Sequence, residues 1–168
     1  SLTDQYITVS EGTGYGLNPQ YNITTDADLF EKYWLQSQDM QSKADKIELL
    51  KKAFALYRGP LCETAAGSTW LMQESYRYES MYSNVVNALL ETLFEVRDYS
   101  CMRDYATKSF VTDPNNTYAH YWLIVALVRL RNKKLARAAV EKARDMLSEE
   151  DFGDLYRMLE RMVPGFVK

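Results

Sequence analysis

The sequence is poor in the residues that carry chemistry. His120 is its one histidine, and Cys62 and Cys101 are its two cysteines. A lone imidazole, set before Tyr121 and Trp122 in an amphipathic stretch, offers no Ser–His–Asp arrangement and reads as a structural or surface side chain. The cysteines lie far apart and beside no histidine, so they lack the spacing of a zinc site and read as small buried apolar groups. Glycines 12, 14 and 16 alternate with Thr13 and Tyr15 and are followed by a polar segment. A phosphate-binding loop would need a preceding strand, an immediately following helix and usually a lysine. No apolar run reaches the length of a membrane span, and no charged-then-apolar leader is seen. The expectation is a cytoplasmic protein that is not an enzyme, with no catalytic, cofactor-binding or metal-binding residues and no membrane contact.

What is present fits one globular domain with a small appendage: 168 residues, 46% hydrophobic and 26% charged. A formal charge of −3 gives no whole-chain basicity toward nucleic acid. The charge is uneven, however. Residues 1–40 set Lys32 against Asp4, Glu11, Asp26, Asp28, Glu31 and Asp39, whereas residues 129–144 hold seven cations against Glu141 alone. Such asymmetry marks either a contact surface or solvated helix ends.

The first twenty residues read differently from the rest. Tyr6 to Val9 is β-branched and aromatic, Glu11 to Gly14 supplies a turn, and Tyr15 to Leu17 returns, which predicts a β-hairpin over residues 1–22. Beyond Thr25 the periodicity predicts about seven helices. Thr25 caps the first, with Asp26 and Asp28 in its opening turn. Gly59-Pro60 ends the second. Ser68 caps a long third helix reaching about Arg97, a turn near Asp98 opens the fourth, and Asp113-Pro114 starts the fifth. A break at Arg131-Asn132 precedes the sixth, with Leu135, Ala136, Ala139, Val140, Ala143 and Leu147 as its apolar residues. Ser148 with Glu149, Glu150 and Asp151 opens the last, and Pro164-Gly165 ends it.

A shift of 34 residues superposes Leu89 on Leu123, Leu93 on Leu127, Met102 on Ala136, Ala106 on Val140 and Ser109 on Ala143. Thirty-four is the tetratricopeptide period of paired helices. The fold class expected is therefore all-α: a tetratricopeptide-like right-handed superhelix of about seven helices after a short hairpin. Its concave face is a preformed docking surface, so binding is the expected role. Two clusters are candidate partner-binding residues. Tyr76, Tyr78 and Tyr82 form either an aromatic docking patch or wide helix packing with phenols at its rim. Arg129, Arg131, Lys133 and Lys134 meet an acidic partner or phosphates, or else complete helix C-termini.

The most specific element is Ala53-Phe54-Ala55-Leu56-Tyr57-Arg58-Gly59-Pro60-Leu61. With Trp70, the long helix, Asp113-Pro114, His120 and the two-helix unit after it, this run resembles the bacterial transcriptional activator domain of the antibiotic-regulatory-protein (SARP) family, over roughly residues 24–160. In that family the domain follows a winged-helix DNA-binding domain. Gly14-Tyr15-Gly16-Leu17 stands where the wing's Gly-Tyr-Arg-Leu-like run would end, with Gly16 in place of the arginine. The resemblance implies that residues 1–22 are the remnant of a wing and that 23–168 form the helical activator domain. It also implies a protein partner for the repeats: a second copy, RNA polymerase, or an attached sensor or receiver domain. DNA would be reached only through a winged helix outside this sequence. The alternative from the residues themselves is a general repeat adaptor that holds a peptide outside transcription.

Overall fold

The computed structural model describes residues 7–10, 14–17, 24–60 and 69–166, with side chains for the last two ranges. Seven helices fill the described part beyond residue 25: α1 (Asp26–Gln38), α2 (Lys43–Leu56), α3 (Thr69–Glu95), α4 (Tyr99–Ser109), α5 (Thr117–Arg129), α6 (Lys133–Met146) and α7 (Glu149–Met162). Ahead of them only the backbones of β1 (Ile7–Ser10) and β2 (Gly14–Leu17) are described, as an antiparallel pair with Ile7 opposite Leu17. The turn between them and the rest of residues 1–22 lie outside the described residues, as do Cys62, Leu61 and the expected cap Ser68.

Each helix packs on the next, most sparingly α6 on α7, and every second helix also meets its counterpart, α3 on α5 and α5 on α7. That is the contact pattern of stacked helix pairs. The two turns inside the pairs repeat atom for atom at the 34-residue spacing. At the end of α3, Asp98 N–H donates to Leu93 O and Arg97 N–H to Phe94 O; at the end of α5, Asn132 N–H donates to Leu127 O and Arg131 N–H to Val128 O. Both are Schellman closures, which need a left-handed residue at the second turn position. Arg97 (φ 62°) and Arg131 (φ 60°) fill it. The next residue then caps the following helix: Asp98 accepts from Cys101 N–H and Asn132 accepts from Leu135 N–H.

The core follows the same register. Met102, Ala106 and Ser109 of α4 are buried, and so are Ala136, Val140 and Ala143 of α6. Leu93 and Leu127 are buried alike, while Leu123 is half-buried where Leu89 is fully enclosed. The alanines let the second helix of each pair lie close to its neighbours.

Aromatic side chains join the N-terminal part. Tyr57 stacks on Tyr82 at 4.1 Å between ring centroids and meets Phe30 at 5.7 Å. Phe54 sets its ring edge-on to Tyr105 at 5.2 Å. On the rim, Arg77 of α3 grips Glu31 of α1 with both terminal guanidinium nitrogens, at 2.9 and 3.2 Å.

Three local expectations need correction, and one residue of the resemblance, Trp70, lies outside the core. α5 begins at Thr117, not at Asp113-Pro114. Asn116 wins the cap because its side chain accepts from Ala119 N–H at 2.9 Å and donates to both Asp113 and Ser83, so Asp113 braces the cap from the preceding turn. α2 ends at Leu56, and the chain leaves through Tyr57 in an extended conformation; Gly59, at φ 131°, turns the chain two residues later instead of closing the helix. Trp70 lies 68% exposed in the first turn of α3 and takes no part in the core. Leu135 is 52% exposed, outside the apolar stripe of α6 that Ala136, Val140, Ala143 and Leu147 bury.

Candidate protein-contact surfaces

The three tyrosines of α3 do not form one patch. Tyr78 and Tyr82, four residues apart, share the buried face of the helix; Tyr76, 63% exposed, is turned outward. Burial raises the Tyr82 hydroxyl well above its ordinary range, although Thr112 hydrogen-bonds it, and burial pushes its stacking partner Tyr57 up to about 12. Tyr78 lies against Phe30 at 6.0 Å, under the Arg77 guanidinium. So two of the three phenols hold α1 and α2 to α3, and Tyr76 alone is free to meet a partner. It borders a cleft of about 320 Å³ with Tyr57, Pro60, Glu79 and Asp113.

The Tyr57-Arg58-Gly59-Pro60 run acts in the same place. Leaving α2 in an extended conformation aims the Tyr57 ring between Phe30 and Tyr82. Glycine is suited to position 59 because φ 131° is a conformation that L side chains rarely adopt.

His120 is 2% exposed. Its Nε2 lies 3.0 Å from Pro114 O, which assigns the proton to that nitrogen, and its ring packs on Phe110 at 4.5 Å. Burial lowers its pKa below the usual value. A neutral imidazole thus ties α5 to the turn before it. The Cys101 thiol, half-buried beside Lys51 and Asp98, is pushed up by burial. Among the described residues no three His, Cys, Asp or Glu side chains converge as a metal site would require, and no helix is long and apolar enough to cross a membrane.

The cationic cluster is accessible. Arg129, Arg131, Lys133 and Lys134 are all exposed around the α5–α6 turn. Arg129 closes α5, where a cation suits the helix dipole, and lies over the Phe94 ring at 5.6 Å. Lys133 and Lys134 instead open α6, at the end where the dipole disfavours them. Helix-end stabilisation therefore accounts for Arg129 and not for the lysines.

Sequence reasoning missed two features. One is a cleft of about 420 Å³ between α5 and α7, lined by Thr117, Tyr118, Asp151, Asp154, Arg157 and Arg161. Its residues come from two helices more than thirty positions apart, and only the stacking of α7 on α5 joins them. The other is a cleft of about 380 Å³ beside the cationic turn, where Val128, Arg129, Lys133 and Arg137 face Met162, Pro164 and Phe166.

Comparison with curated proteins found no match, and comparison with solved structures found none. A family model described as the bacterial transcriptional activator domain matches residues 25–161, from the cap of α1 to the last turn of α7. The chain belongs to the bacterial transcriptional activator domain family, a regulatory domain of transcription factors.

Proposed function

We propose that the chain is the protein-contact half of a bacterial DNA-binding transcriptional regulator. The observation that carries this reading is the family match over the entire helical stack. The repeat geometry supports it, because stacked helix pairs offer broad preformed surfaces rather than an enclosed site. In this reading the pairs wind as a tetratricopeptide-like right-handed superhelix over residues 23–168. Residues 1–22 are the hairpin of a wing, and the recognition helix belongs to the same polypeptide upstream. The domain works in the cytoplasm and meets a protein: a second copy, RNA polymerase, or an attached sensor or receiver domain. It touches DNA only through the winged helix.

Salt-dependent binding to promoter DNA tests this, with the complete gene product measured against the present chain. The expected result is specific binding by the former, falling steeply with salt, and none by the latter. If neither binds, the transcriptional role fails and a peptide adaptor outside transcription replaces it.

A further inference from the structure

The edge of the stack at the α5–α6 turn is built at a cost to the domain's own stability. Lys133 and Lys134 sit in the first turn of α6 with no acidic residue there to offset them. Among the described residues, Arg131, Lys133, Lys134 and Arg137 enter no ion pair; the first nearby carboxylate, Glu141, is taken by Arg144 at 2.8 Å. Arg131 holds the left-handed position where glycine would be easier. These cations are interleaved with Leu130 (39% exposed) and Leu135 (52% exposed). The 380 Å³ cleft alongside combines Arg129, Lys133 and Arg137 with the side chains of Val128, Met162 and Phe166.

Cations alone would suit any polyanion. The aliphatic side chains among them narrow the class, because leucine and methionine gain nothing from a phosphate backbone, whereas they complement the apolar anchors of a peptide. We propose that this edge, from Leu130 to Arg137 with Phe166, is a docking site for an acidic polypeptide segment that carries aliphatic or aromatic anchors. The carboxylates face the cations and one anchor enters the cleft. The surface gives the protein-contact role above its chemistry and rests on that role. Promoter binding plays no part in its test, so the two can fail separately.

Fluorescence anisotropy of the 168-residue chain tests it with three labelled probes. They are a twelve-residue peptide alternating glutamate with leucine, the same peptide with serine for leucine, and a twenty-base-pair duplex DNA. The leucine peptide is expected to bind at least tenfold more tightly than the serine peptide and than the duplex. Its amide-shift perturbations should map to Leu130–Arg137 and Phe166. Lys134→Glu separates binding from folding: it should weaken the peptide at least tenfold while raising the Tm, since an acid then stands at the positive end of α6. No peptide binding, equal binding of both peptides, tighter binding of duplex, or an unchanged affinity in Lys134→Glu would each overturn the proposal.

Discussion

Replacing Arg97 and Arg131 by glycine should stabilise the domain. Both hold the left-handed position of a Schellman turn, at φ 62° and φ 60°, and a residue with a Cβ is strained there by about 1–2 kcal/mol. Glycine removes that strain but orders more backbone on folding, which returns about 0.5–1 kcal/mol. The net gain expected is about 0.5–1 kcal/mol per site. Neither arginine forms an ion pair among the described residues, so little side-chain interaction is lost. For a chain of this size about 1 kcal/mol shifts the midpoint by roughly 2–4 °C. The turns share no partner, so Arg97→Gly and Arg131→Gly should add in the double variant. The assay is thermal and urea unfolding followed by circular dichroism, with Arg97→Ala and Arg131→Ala as references that lose the arginine but keep the strain. Glycine variants no more stable than the alanine variants would refute the strain argument.

Other consequences can be measured in the same assays. His120 is neutral when folded because burial lowers its pKa. Below about pH 6.5 the unfolded chain therefore takes up a proton that the folded one refuses. Its contribution to stability is full above that pH and declines as the pH falls, by at most about 1.4 kcal/mol per pH unit. His120→Gln should flatten the stability curve just below about pH 6.5, and an unchanged slope would assign the acid sensitivity elsewhere. Met102→Ala should cost about 2–5 kcal/mol through the void it leaves, and Ala136→Met, at the repeat-equivalent position, about 1–3 kcal/mol by overpacking; a neutral result at either would mean that the packing around it is loose. Asn116→Ala removes the α5 cap and two side-chain bonds and should cost about 2 kcal/mol, whereas Asn116→Ser keeps a capping oxygen and should recover about half; urea midpoints decide.

The helices were legible because their caps and apolar spacing agree. Thr25 closes a capping box with Asp28, and Ser148 accepts from Asp151 N–H, as their sequences suggest. The 34-residue register was legible in the buried positions of α4 and α6, where small and apolar residues recur. The turns that enforce this register were legible in position, near Asp98 and at Arg131-Asn132, but not in their left-handed closure, because the usual signal of a left-handed residue is glycine and here arginine occupies both. Asp113-Pro114 looked like a helix start by composition; the geometry of Asn116 and its bond to Ser83, 33 residues away, decided otherwise. On the tyrosines, spacing already held the answer. Residues two apart on a helix point nearly oppositely and residues four apart align, so Tyr76 had to part from Tyr78 and Tyr82. The clefts could not be read, since α7 reaches α5 only once the stack is formed.

The 27-residue α3 has a mechanical consequence. At about 1.5 Å per residue it runs some 40 Å. One of its ends is clamped to α1 through Glu31 and Arg77, and the other is locked into the α4 turn through Leu93 and Asp98. In most stacked repeats each unit contacts only its neighbours. Here one beam belongs to two units, so α1 through α5 should open as a single block in hydrogen exchange. A load placed on α1 by whatever precedes it would then reach α5 undiminished, as through a rigid arm.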